Sequence, residues 1–170
     1  MLDPDLRGAP SPRVKSERAG RAEGTVRVPS CVVACDTADV IPVDELDSVA
    51  QARLEDARAL LAAGRFDGAT YLCGYAVEIA LKARICRTLD WPEFPSTGNE
   101  FEPYRSFRTH ELEILLRLSG QEARIKQDHF GVWNVVTVWR VETRYSVIGT
   151  AQRQDAAAMI AAAEELLAVL

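Results

Sequence analysis

Histidine, lysine and cysteine are scarce in this 170-residue chain, which holds two His, three Lys and four Cys. Cys31 and Cys35 stand in a loop-like stretch, and Cys73 and Cys86 inside a helical pattern. There is no C-x-x-C pair and no Cys/His quartet, which argues against a structural zinc site and a small disulfide scaffold. His110 and His129 are too few for a histidine-based metal centre, so no metal and no cofactor is expected. Cys73 and Cys86 read as small buried hydrophobes of a reducing compartment, and a cytoplasmic location is expected. Long hydrophobic runs are missing too: the longest, residues 156–163, is mostly alanine and far too short to span a bilayer. Ten Gly and eight Pro are ordinary for this length. What remains is one globular domain with 48% apolar and 26% charged residues.

Charge is distributed unevenly. Residues 1–43 balance their acidic and basic groups, so the formal net charge of −5 belongs to residues 44–170. Coating of nucleic acid by bulk positive charge is thereby excluded for the folded part, and any polyanion must be held by a local cluster. The basic residues are overwhelmingly arginine, whose planar fork suits phosphate.

Residues 7–27 are rich in Arg, Gly, Ala and Pro with almost no apolar periodicity, and residues 1–43 are expected to be a flexible N-terminal arm. Residues 44–170 are expected to fold as an all-α, antiparallel four- to five-helix bundle. The first helix places Leu46, Val49, Ala50, Leu54, Ala57, Leu60 and Leu61 on one face, with Asp44 as its N-cap and Gly64 at its C-terminus. Asp67 is expected to cap a second helix ending near Leu89, apolar nearly all round and therefore central. Residues 90–108, with three Pro and three Phe, form a long loop of the kind that is usually functional. Thr109 is expected to cap a third helix ended by Gly120, residues 121–129 to be a connector, and residues 130–145 and 152–170 to be the fourth and fifth helices.

Three constellations could carry chemistry. Tyr71, Tyr75, Glu78 and Lys82 share one stripe of the second helix, a polar seam with aromatic walls. Glu78 sits among apolar residues and needs a partner, either Lys82 one turn on or an arginine such as Arg144 from another helix. The seam is either a structural ion pair that fixes helix register or part of a ligand site. Arg105 and His110, with Arg108 between them, offer a guanidinium for phosphate and a histidine to move protons, the minimum for metal-free RNA cleavage. His110 is expected at a helix N-terminus, which favours phosphate. Arg124 and His129 repeat the spacing, and His129 reads as a surface residue. In the fourth helix Arg140 and Arg144 lie one turn apart beside Trp139 and Tyr145, so two guanidiniums could grip a phosphate while an aromatic stacks on a base. Equally, those aromatics could be core.

The run ARLEDARALLAAGRFDGATYLCGYAVEIALKARI, followed by THELEILL and VWRVETRY, resembles a bacterial HEPN domain (higher eukaryotes and prokaryotes nucleotide-binding) over residues 49–167. Its most specific part is Gly64-Arg65-Phe66-Asp67 at the first turn, with Ala76-Val77-Glu78 and Lys82 after it. The resemblance implies a helical bundle that forms a homodimer, binds nucleotide or RNA in a cleft, and stands beside a minimal nucleotidyltransferase as a toxin–antitoxin pair. Many members are metal-independent ribonucleases with an Arg and a His closely spaced on a late helix. Here Arg105 and His110 have that spacing but precede the third helix, and the late helix offers Arg140 and Tyr145 instead. Three functions follow as expectations: a nucleotide/RNA-binding module with a nucleotidyltransferase partner, an endoribonuclease toxin using Arg105 and His110, or a purely structural dimerisation bundle.

Overall fold

The two strongest apolar periodicities become the two longest helices, α1 (Val43–Ala62) and α2 (Phe66–Leu89), in a computed structural model that describes residues 41–95 and 107–170. Residues 1–40, most of the expected arm, and Arg105 lie outside the described residues. The chain reverses between α1 and α2 at Gly64, whose φ of +72° is a conformation that glycine adopts without strain. α1 buries Leu46, Ala50, Leu54 and Ala57, the face its spacing predicts. α2 is buried along most of its length because α1, α3 (Leu112–Leu118) and α6 (Arg153–Val169) all pack on it. Two short helices, α4 (Glu122–Asp128) and α5 (Phe130–Val136), complete the six among the described residues, and α5 packs on α6. The protein is an all-α helical bundle.

One core runs through it, from Leu54 and Leu81 to Leu115, Trp133, Met159 and Leu166. Each fully buried aliphatic side chain there contributes about 2 kcal/mol of transfer free energy. A second cluster, with Leu46, Ile79, Ala83 and Phe94, ties the start of α1 to α2 and to a two-stranded antiparallel sheet, β1 (Ile41–Pro42) with β2 (Glu93–Phe94). Thus Ile41–Val43, assigned to the arm by the sequence, belong to the fold, and the chain after α2 is pinned at Phe94. Among the described residues no helix is long and apolar enough to cross a membrane.

Local differences from the sequence reading have identifiable causes. The connector 121–129 is itself helical: α4 meets α5 at His129, and Glu113 and Glu122 both pair with Lys126 at 2.9 Å. The fourth helix stops at Val136 rather than Tyr145. The β-branched run Val135-Val136-Thr137-Val138 propagates a helix poorly. Leaving it lets Trp139 turn inward, and only a five-residue 3-10 turn (Val141–Tyr145) follows. None of the three expected caps is used as such. Val43 opens α1 ahead of Asp44, and Phe66 opens α2 ahead of Asp67. Thr109 accepts the Glu111 N–H at 3.1 Å, before α3 begins at Leu112.

Candidate functional site

Glu78 is fully buried, with side-chain exposure of 1%, at the middle of α2. An isolated carboxylate there would be costly, and two donors meet it on one oxygen: Lys82 Nζ at 2.5 Å and His110 Nδ1 at 2.9 Å, both to Oε1. Lys82 is the partner that helical spacing supplies. His110 arrives from the segment between Phe107 and α3, immediately ahead of the Glu111 cap at the N-terminal end of that helix. Arg144 is not a partner of Glu78; its contacts lie elsewhere. Oε2 of Glu78 has no donor among the described residues.

These groups line a cavity of about 490 Å³ whose walls come from α1 (Arg53, Val49), α2 (Tyr75, Ile79), β2 (Phe94) and the segment carrying Arg108 and His110. Lys82 Nζ also lies 5.4 Å from the centre of the Phe94 ring. Arg53 is held by Asp56 at 2.6 Å, Arg108 is exposed, and the His110 side chain is half exposed at 52%. Burial, and next the Glu78 charge, push the Tyr75 phenol up from its usual range, so it stays a neutral hydroxyl. The site therefore sets one buried carboxylate behind three cationic side chains and an imidazole, in a chain that is acidic as a whole. Anions are the class of ligand this favours, with a histidine ring nitrogen beside them.

The seam divides at its tyrosines. The Tyr71 and Tyr75 rings stack with centroids 6.3 Å apart and planes 7° apart, but Tyr75 faces the Glu78 cavity while Tyr71 lines a second one of about 420 Å³ with Asp67, Thr70 and Arg144. Arg144 lies over the Tyr145 ring at 4.9 Å, and hydrogen bonds with Tyr145 and then Tyr71 raise its pKa further. Tyr145 is 77% exposed. Asp67 in the first turn of α2 latches the loop before α6: its carboxylate accepts the Gly149 N–H at 2.6 Å and the Ala151 N–H at 2.7 Å. The Ala151 and Gly149 amides hold that carboxyl below the usual carboxylate range.

The single helical face expected to align Arg140 and Arg144 beside Trp139 and Tyr145 does not form, because α5 ends at Val136. Trp139 is 2% exposed, packs on Gly74 of α2 and donates from Nε1 to the Tyr71 carbonyl at 3.0 Å, so it is core. Arg140 turns back on its own backbone, donating to the Thr137 and Trp139 carbonyls at 2.6 and 2.8 Å. Of the expected arginines, Arg108 and Arg144 line different cavities. His129, with a side chain only 19% exposed, is more enclosed than a surface reading implies and pairs with Glu165 at 2.7 Å. Arg124 binds the Val169 carbonyl at 3.0 Å, so the second Arg/His spacing serves the C-terminal helix. Sequence reasoning missed Arg53 as a wall of the Glu78 cavity. The one hint was its place on the α1 face, one residue before Leu54 of the core stripe.

Compared with family models, with curated proteins and with solved structures, the chain matches none.

Proposed function

We propose that the cavity around Glu78 binds the phosphate of a nucleotide or RNA and that the chain is a HEPN-like nucleotide/RNA-binding helical module. On this reading it forms a homodimer and acts with a minimal nucleotidyltransferase in a toxin–antitoxin-type pair. The observation that carries the proposal is the convergence of Arg53, Lys82, Arg108 and His110 on one concave site of an otherwise acidic molecule. Charge concentrated in this way recruits an anion that the overall charge would repel. The helical bundle and the long α1–α2 hairpin agree with the resemblance but do not select a ligand.

A second reading, cleavage of RNA without a metal, draws support from the Glu78 to His110 hydrogen bond, since a carboxylate behind an imidazole is how a proton-transferring histidine is usually oriented. Its other expected member, Arg105, lies outside the described residues.

The test is equilibrium titration of a ribonucleoside monophosphate and a short single-stranded RNA into the full chain, alongside incubation with total RNA in EDTA. The binding reading expects saturable binding that Arg108→Ala and His110→Ala weaken about tenfold, a loss of about 1.4 kcal/mol. Absence of binding to both ligands overturns it. RNA cleavage abolished by His110→Ala selects the second reading.

A further inference from the structure

Four of the eight large apolar side chains left exposed among the described residues fall between Val138 and Ile148. Exposed apolar residues scattered singly need no explanation, but a cluster beside a cavity does. Val147 and Ile148 line the cavity of about 420 Å³ that Tyr71, Arg144 and Ala151 also wall, and Ile148 is nonetheless 93% exposed. A smaller cavity of about 290 Å³, reaching Leu60 and Phe66, adjoins it through Gly68, Ile148 and Ala151. The loop between them is held in place locally: Asp67 accepts the Gly149 and Ala151 N–H groups, and the Thr150 hydroxyl donates to the Val147 carbonyl.

Charge in this cavity is sparse. The Asp67 carboxylate is taken up by those two amides, whereas Arg144 has no carboxylate partner among the described residues; the groups that act on its guanidinium are the phenols of Tyr145 and Tyr71. One guanidinium over a mainly apolar floor suits a monoanion with a hydrocarbon tail. Its head group meets Arg144 in the paired geometry a carboxylate allows, and its tail takes Tyr71, Val147 and Ile148 out of contact with water. A nucleotide, with more charge and a polar sugar, fits the several cations of the Glu78 cavity better. The volume lies toward the lower end of the roughly 300–1,000 Å³ usual for small-molecule sites, which favours a short tail. We propose that this cavity is a second binding site, separate from that of Glu78, and that it takes a medium-chain aliphatic carboxylate with its head on Arg144 and its tail running past Ile148 toward Leu60 and Phe66. The site stands whether or not the Glu78 cavity binds nucleotide.

Calorimetric titration of decanoate, octanoate and hexanoate into the full chain, below their micelle concentrations, tests the proposal, with decanol as the tail without the charge. One saturable site is expected for decanoate. Affinity should fall about tenfold at each step to octanoate and hexanoate, because each buried methylene is worth up to about fourfold. Arg144→Gln should weaken decanoate about tenfold and leave the weaker binding of decanol unchanged. Ile148→Ser, at a side chain too exposed to disturb the core, should weaken both ligands about threefold. Absence of saturable decanoate binding overturns the proposal, as does decanol binding as tightly as decanoate. Decanoate binding that neither substitution weakens lies elsewhere on the chain and overturns the assignment equally. A ribonucleoside monophosphate added in competition should leave decanoate affinity unchanged; displacement would merge the two sites and contradict a separate one.

Discussion

Two regions of this bundle look alike in sequence, and only one of them becomes a polar cavity with converging charges. Around Glu78, residues far apart in the chain meet: Arg53 from α1, Lys82 from α2, and Arg108 and His110 from the segment before α3. Around Trp139 the residues are neighbours in sequence and end up apart, with Trp139 in the core, Arg140 on its own backbone and Arg144 over an exposed tyrosine. The difference lies in what the helix requires. A carboxylate in the middle of the central helix has to be compensated, and compensation gathers donors. An aromatic at the end of a short helix has only to be covered, and covering it breaks the face on which its arginine neighbours were to align.

The sharpest way to break this contrast is at the contact between Trp139 and Gly74. A Cβ built on Gly74 would stand 2.1 Å from the Trp139 ring, so Gly74→Ala has to displace the indole. Trp139→Ala is expected to cost about 3–5 kcal/mol in chemical denaturation, and Gly74→Ala about 3 kcal/mol. A Trp139 that stacks on bases would instead give a stable alanine variant with lost binding.

On the other side of the comparison, Lys82→Met leaves Glu78 with a single partner and is expected to lower stability by about 3 kcal/mol. Arg140→Ala, which removes two bonds from an exposed side chain to local carbonyls, should stay within about 0.5 kcal/mol in the same denaturation experiment. Binding separates the two regions as well. Arg108→Ala should weaken nucleotide affinity about tenfold in an equilibrium titration, and Arg144→Ala no more than about twofold. Equal losses would mean that both cavities serve one ligand.

The smallest effect concerns Asp67. Its carboxyl is held below the usual range by the Ala151 and Gly149 amides, so its contribution to stability is present above the unfolded Asp range and is lost as pH falls through the lower folded value. Asp67→Asn should therefore flatten the acid side of the stability profile, measured by thermal unfolding across pH, and leave binding at the Glu78 cavity unchanged.

Much of the fold was legible because apolar spacing and glycine placement are local properties. The α1 face, the burial of α2 along most of its length, the turn at Gly64 and the helix after residue 152 follow from them directly. Helix ends were less so: Asp44, Asp67 and Thr109 are all good capping types, yet none caps, and Asp67 is used by a loop more than eighty residues away. For the candidate site, Glu78 stood out as a charge in an apolar context, and Lys82 followed from helical spacing. That His110 is its second partner, 32 residues on, depends on the path of the chain after α2, which no local pattern encodes. The fate of the Trp139 cluster turned on where α5 stops. Valine-rich segments leave that ambiguous until tertiary burial decides it.

The central claim is that an anionic nucleotide enters the cavity of Glu78, and the two histidines offer an internal comparison for it. A ribonucleoside monophosphate titrated into histidine-labelled protein should shift the ring signals of His110 progressively and saturably. Those of His129, paired with Glu165 at the α4–α5 junction, should stay in place. Saturable shifts at His129 alone, or none at His110 while the nucleotide binds, would contradict the account.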